Sequence, residues 1–508
     1  MKTLYSHDQF VPSEVKALVG DEKWRALIKM EPKDFIVEER TTPAHLCTTG
    51  EESDLDANRE TISGKPGLVG VTVIKCRLTT YEVAYALAQQ LGVSAHRVTY
   101  AGLKDYKAQT SSRFVIDGVH LDDVVALCGR KFSNDAGGWY RLKDATAAER
   151  TLRNGSLVSN RFTLNVSVPG RKAAEILDYV NGRLEALKTV AVDLDADRPD
   201  AERIWTGQQD TMYIANAYGG QRLGRRGNLA DIGEELIRHG ARAGIKRFLC
   251  ESCGVERPLA KQIRAELADQ WGWLEFFEKP GNDVEPTHFF QEMRNILERA
   301  DHRTGKPVYQ VVNLAVEHKI VSKLAEGKTY NEVMESMPKE FSLWIGAYQS
   351  YWFNQVLARV LRKEIALRGN GSIPLMVLNR GALGFYLRYC REALPLSVAV
   401  SELPSYVKVE DVPLEVDPEV RRLFLTPRVN ENGRENSPWR KALIPVIDLK
   451  HSAEDGVWHC QFELRSGAYA TVLLECLFEL DQNGHGGNDQ DNTRAQQRNK
   501  RGRNPGRR

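Results

Sequence analysis

The stretch Ala101-Gly102-Leu103-Lys104-Asp105-Tyr106-Lys107-Ala108-Gln109-Thr110 sets one carboxylate between two lysines. It forms a polar loop, Gly102 to Ser112, between two strand patterns. Arg97 to Ala101 precedes it, and Arg113-Phe114-Val115-Ile116 opens the strand after it. Gly102 is expected to permit a tight backbone path. An aspartate in such a turn commonly does no more than bond its own backbone, so the loop has to be read with its surroundings.

Upstream, Gly67 to Leu78 (GLVGVTVIKCRL) alternates at Val69, Val71 and Val73, which predicts a half-buried strand. Thr79 and Glu82 form a capping-box pattern, Val83, Leu87 and Leu91 share one helical face, and Gly92 supplies a stop. Downstream, Phe162, Leu164, Val166 and Val168 alternate with polar residues as a strand does. Ile176, Val180, Leu184 and Leu187 then mark one face of a helix. From 206 to 440 the pattern is mostly helical, as at Gln291–Arg299 and Ser350–Leu361. Strand character returns at Val457–Leu464, followed by a helix over Ala468–Phe478. This order predicts an α+β body, 1–205 with 441–480, interrupted by a mostly helical insertion at 206–440. Residues 481–508 are polar, glycine-containing and basic, and read as a disordered tail.

Length and composition set bounds. The 508 residues, 42% hydrophobic and 27% charged, suit a soluble globular chain of about three structural units. No apolar run reaches the roughly 20 residues of a membrane helix. Met1–Phe10 has neither a signal-peptide core nor a transit pattern. A cytoplasmic setting is expected by default, with nucleus or organelle as alternatives. The formal charge of +2 hides an asymmetry: Arg494–Arg508 carries seven basic residues and no acidic ones, leaving 63 basic against 68 acidic residues elsewhere. Any nucleic acid would meet a local patch or the tail, not a global positive field.

Several patterns exclude themselves. Asp193, Asp195 and Asp197 begin like a calcium loop, but Arg198 stands where its turn needs glycine and Ile204 where it needs glutamate. Cys250 and Cys253 form a lone C-x-x-C with only His239 near in sequence. They read as two reduced thiols at a helix end, not as a zinc site. Glu38-Glu39 and Glu51-Glu52 read as solvated faces. No phosphate loop and no nucleophile elbow occurs, and no cofactor fingerprint is present.

Five segments now fall into one order. Ile28-Lys29-Met30-Glu31-Pro32-Lys33-Asp34-Phe35-Ile36-Val37-Glu38 is similar to K-x-x-P-x-D-F-x-V-x-E, and the Gly102–Thr110 loop to G-x-K-D-x-x-A-x-T. Ser159-Asn160-Arg161-Phe162 carries N-x-F, Asn216 to Gly224 is similar to N-Y-F-G-x-Q-R-F-G, and Gly467 to Thr471 to G-S-F-A-T. In this order they resemble the TruD-type pseudouridine synthases, across residues 29 to 471. Ser112, Ala217, Tyr218 and Leu223 depart from the family pattern while keeping polar or apolar character.

The resemblance implies a pseudouridine-synthase catalytic domain with a large insertion domain. It also implies isomerisation of uridine to pseudouridine in tRNA at position thirteen. That reaction exchanges a C–N for a C–C glycosidic bond without redox change, so no cofactor is implied. The family role of catalytic carboxylate falls on Asp105, as nucleophile or base. Lys29 would pair with it, since a neighbouring cation favours a charged carboxylate. Asn160 would read a uracil edge or hold the loop, and Phe162 would stack on the extruded base. Lys104 and the cluster Arg222, Arg225 and Arg226 are candidate contacts to the RNA backbone. RNA is the expected partner, with no membrane and no obligate protein. A non-catalytic RNA-binding factor of the same fold and a carboxylate glycosidase are the rival readings. The glycosidase would need a second placed acid.

Overall fold

The computed structural model describes residues 10–54, 65–134, 137–153, 155–195, 211–224, 226–253, 256–278, 285–363, 372–374 and 439–481. The basic segment 482–508, Arg225, Asp197 and Cys390 lie outside them. The chain divides into two compact units: Leu18–Val192 with Gly207–Ile214 and Ile444–Arg508, and Met1–Ala17 with Asp193–Thr206 and Ala215–Leu443.

The first of these is built on an 11-stranded sheet. Its strands are β1 (Phe35–Thr42), β2 (His45–Leu46), β3 (Leu68–Cys76), β4 (Val98–Tyr100), β5 (Gln109–Asp117) and β6 (Lys131–Ser133). They continue with β7 (Trp139–Ala147), β8 (Ser159–Ser167), β9 (Met212–Ala215), β10 (Leu443–Glu454) and β11 (Val457–Arg465). The order is β9-β10-β11-β8-β1-β5-β3-β7-β6, with β2 on β1 and β4 on β5. Only the β1–β5 pair is parallel among the registers around the site.

One apolar layer lies between the sheet and helix α1 (Thr80–Gln90). Val69, Val71 and Val73 of β3, Phe114 and Ile116 of β5, and Leu142 of β7 meet Val83 and Leu87 there. The capping box expected from sequence starts α1. The Glu82 amide donates to Thr79 Oγ1 at 3.1 Å, and the Thr79 amide to the Glu82 carboxylate at 2.6 Å. Gly92 follows in the left-handed region at φ 65°. Helix α2 (Ala173–Asp195) buries Ile176, Val180, Leu184 and Leu187. It is tied to the closing helix by Tyr179, whose hydroxyl donates to the Leu477 carbonyl at 2.7 Å.

Two expectations need correction here. β3 is buried at every position, not on one face. The Cys47–Asp54 segment covers its second face: Thr72 donates to Cys47 Sγ, and Lys143 Nζ donates to the Gly50 and Glu52 carbonyls. β5 also begins at Gln109, four residues before the apolar pattern does. Thr110, Ser111 and Ser112 are polar yet buried because strands flank them on both sides, and Ser111 hydrogen-bonds the Cys47 carbonyl.

The other unit is helical, with α3 (Leu229–Cys250), α4 (Pro258–Phe277), α5 (Pro286–Glu298), α6 (Ala315–Ala325), α7 (Tyr330–Ser336) and α8 (Pro338–Leu361). Ile263, Leu267, Trp271, Phe289, Phe290 and Met293 fill its interior. Gly233 of α3 lets two helices meet closely, since a Cβ there would stand 2.2 Å from the Trp344 carbonyl oxygen. The amino-terminal segment belongs with these helices: Asn354 Nδ2 donates to the Phe10 carbonyl at 2.7 Å, and Arg362 pairs with Glu14. No helix among the described residues is long and apolar enough to cross a membrane.

Candidate active site

The register of three neighbouring strands assembles the site. Glu39 of β1 faces Asn160 of β8, Val37 faces Phe162, and Phe35 faces Leu164. Phe462 of β11 faces Phe162 from the other side. Because side chains alternate across a sheet, Phe35, Glu39, Asn160, Phe162 and Phe462 project to one face. The opposite face carries ion pairs instead. Glu38 joins Arg161 at 2.5 Å, and Arg40 joins Glu463. The Arg40 guanidinium, helped by Ser159, holds the Glu463 carboxyl below its ordinary range.

The Asp105 loop is fastened to this face by lysines. Lys29 Nζ lies 3.1 Å from Asp105 Oδ2, with Lys29 almost buried and the Asp105 carboxylate one-third exposed. The same ammonium rests 4.0 Å from the centroid of the Phe35 ring. The Lys29 backbone has φ 57°, a left-handed conformation that costs a non-glycine residue about 1–2 kcal/mol. Cross-bonding that over-determines a strained residue is a feature of functional sites, and here it aims Nζ at the carboxylate.

Lys104 turns the other way. Its ammonium meets Glu39 Oε2 at 2.7 Å and donates to Asn160 Oδ1 at 3.0 Å. Its side chain is only 5% exposed and that of Glu39 is fully buried, so Lys104 is an internal tie and not an RNA-backbone contact. The reading of Glu38-Glu39 as a solvated face is corrected by the same facts, because both carboxylates are buried and paired. Asn160 spends its oxygen on Lys104, which leaves its Nδ2–H₂ as the donor.

Phe162 is 6% exposed, stacked on Phe462 at 5.5 Å and edge-on to Phe35 at 6.3 Å. It stands in the wall of the site and does not present a free ring. Tyr106, next to Asp105 in the sequence, is an exposed aromatic.

Gly102 is not held by conformation. It lacks a positive φ, and an added Cβ would meet only Leu157 Cδ2, at an ordinary 3.7 Å. We expect Gly102→Ala to stabilise the fold by about 0.4–1 kcal/mol, read in urea unfolding. A destabilised variant would show that the loop path itself needs glycine.

The arginine cluster separates into different environments. Arg226 is committed inside the helical unit. It donates to the Phe248 carbonyl at 2.8 Å and to that of Glu251, and lies 3.4 Å from Glu256. Burial, with Arg264 alongside, pushes its guanidinium below the usual range. Burial among these partners corrects its reading as a phosphate contact. Arg222 packs over Gly346 and bonds Ser350 Oγ at 3.2 Å.

Sequence reasoning missed Lys75, one of the largest fully buried side chains. Its Nζ donates to the carbonyls of Leu78 at 2.9 Å, Lys104 at 3.3 Å and Asp105 at 2.8 Å. The available signal was a lone lysine ending the apolar face of Val69, Val71 and Val73. The C-x-x-C cysteines are both reduced, and burial pushes the Cys250 thiol up to about 12. Among the described residues, no group of three or more His, Cys, Asp or Glu is placed to hold a metal.

A family profile described as tRNA pseudouridine synthase D (TruD) matches residues 18–285 and 281–372. The chain belongs to that family. It is by membership a pseudouridine synthase, an isomerase. The protein named probable tRNA pseudouridine synthase D 1 of Methanocaldococcus jannaschii is 24% identical over 480 residues, spanning 92% of this chain and 99% of that one. The probable tRNA pseudouridine synthase D of Archaeoglobus fulgidus is 26% identical over 353 residues, 67% of this chain and 64% of that one. A crystal structure of a TruD homologue from Methanosarcina mazei aligns with a TM-score of 0.50 at 15% identity, covering 93% of this chain and 99% of that one. That likeness shows the fold, the α+β architecture expected from the element order.

Proposed function

We propose that this TruD-family chain isomerises uridine in tRNA, at position thirteen by family resemblance, with Asp105 as the carboxylate at the reaction centre. The observation that carries the reading is the Lys29–Asp105 pair, a buried ammonium 3.1 Å from a carboxylate that remains one-third open to solvent. A cation beside a carboxylate favours its charged form, and a carboxylate open on its other side can meet a reactant. This one is held from one side and left accessible.

In the reaction the C1′–N1 bond breaks, the detached uracil turns, C5 bonds to C1′, and the C5 proton is lost while N1 gains one. Atoms balance without an added group. Asp105 serves as nucleophile or base, and Lys29 keeps its charge compensated. Asn160 Nδ2 offers a donor to a uracil carbonyl, because Oδ1 is occupied by Lys104. Phe35, under the Lys29 ammonium, and Phe162 beside it supply apolar surface to the site. Extruding a base costs a few kcal/mol, and exposed Tyr106 supplies a ring against which it could be recovered. Within the domain division expected from sequence, we assign chemistry to the unit holding the 11-stranded sheet.

The test is to incubate the purified protein with unmodified tRNA transcripts and map pseudouridine at single-nucleotide resolution. One new pseudouridine at position thirteen is the expected product. RNA binding without isomerisation would favour the non-catalytic reading, and release of free uracil would favour the glycosidase.

A further inference from the structure

Lys75 ends the buried face of β3 next to the start of α1, with its side chain closed off from solvent. Among the described residues, no carboxylate pairs with it directly. Its three bonds go to main-chain carbonyls, and two of those belong to Lys104 and Asp105. The same turn is held from α1, where Thr80 Oγ1 accepts from the Lys104 amide at 3.0 Å. An ammonium bound to neutral carbonyls in an apolar layer is a costly choice where an apolar residue would pack.

We propose that Lys75 is a positioning residue for the isomerisation. Its ammonium ties the turn bearing Asp105 to the sheet and fixes that carboxylate against Lys29. The inference rests on the reading of Asp105 as the reacting carboxylate.

Titration supplies a readout that a structural lysine would not give. Burial lowers the Lys75 ammonium to about 8, against an ordinary 10.5. Asp105 on the loop, Cys76 on its own strand and Glu82 on α1 favour its charge, and Lys104 opposes it. Tyr140, across the ladder on β7, is kept neutral there by its own burial. As pH rises through about 8 the folded protein loses this proton while the unfolded chain keeps it up to about 10.5. In that window the unfolded state binds more protons, so the Lys75 contribution to stability rises with pH. Activity and stability should therefore move in opposite directions, because the neutral amine offers fewer donors to the three carbonyls.

The experiment measures single-turnover rate and affinity on the tRNA transcript from pH 7 to 9, with thermal melting at each pH, for the wild type, Lys75→Arg, Lys75→Met and Asp105→Asn. For the wild type we expect an approximately tenfold fall in rate from pH 7 to 9, the charged fraction of one group titrating near 8, with little change in affinity and a Lys75 contribution that raises the melting temperature. Lys75→Arg should retain activity at pH 9, and Lys75→Met should lose the pH dependence together with most of the rate. A wild-type rate that is flat over this range, or Lys75→Met within twofold of wild type, overturns the proposal while an inactive Asp105→Asn leaves the function reading intact. Activity in Asp105→Asn overturns the function reading itself. Should the Lys75 variants fail to fold, the wild-type profile decides alone: the tenfold fall in rate with no fall in melting temperature supports the proposal, and a flat rate profile ends it.

Discussion

Asp105→Asn should abolish pseudouridine formation, by about 10⁴-fold or more in single turnover, while the affinity for tRNA stays within a few-fold. Asparagine keeps the size and one acceptor oxygen, so Lys29 retains a partner at the position it now holds 3.1 Å away. What goes is the negative charge that either attacks carbon or takes a proton. The carboxylate is held from the backbone side as well, by Lys75 at the Asp105 carbonyl, so the loop should keep its path in the variant. Binding by filter retention across a salt series, paired with rate measurement, separates the two quantities. A variant that still makes pseudouridine at the wild-type rate would remove Asp105 from the reaction centre. One that loses binding in parallel would make it a docking residue.

The sequence made the elements around this loop legible because their periodicity is plain. Val69, Val71 and Val73 mark a strand, Thr79 with Glu82 starts a helix, and Phe162 to Val168 alternates. Such patterns report which side chains avoid water, and the strands and helices lie where they indicate. They do not report what covers the second face. β3 therefore reads as half-buried, when a segment distant in sequence, Cys47–Asp54, closes it. The same gap explains the charged residues. Glu39, Lys104 and Arg226 are types that usually sit in water, and pattern reading placed them there. In the structure each is neutralised by a partner far along the chain: Glu39 by Lys104 across 65 residues, and Arg226 by Glu256 and Glu317. Buried ion pairs are invisible to a local reading because neither half is unusual until register brings them together. Only the Lys29–Asp105 pair escaped this limit, because family motifs carry the spatial information that periodicity lacks.

Lys104→Met should therefore act on the fold and only secondarily on RNA. Removing one partner of a buried pair leaves the other charge desolvated, at a cost of roughly 3–5 kcal/mol. Here the abandoned group is Glu39, fully buried, with the Arg113 amide at 3.2 Å as its remaining donor. Melting should fall by on the order of 10 °C for a unit of this size. Asn160, no longer held through Oδ1, would be free to rotate and mispresent its amide, so the rate at saturating RNA should drop in the fraction that stays folded. Lys104→Met with Glu39→Leu removes both charges at once and should recover most of the melting temperature, since an apolar pair of similar volume replaces the ion pair. It should not recover the rate, because Asn160 still lacks its tether. A phosphate contact predicts the reverse: unchanged melting, weaker binding, and a salt dependence shallower by about 0.9 in the log–log slope. Measuring melting and salt slope on the same two variants distinguishes a lysine that touches RNA from one that holds the residue which does.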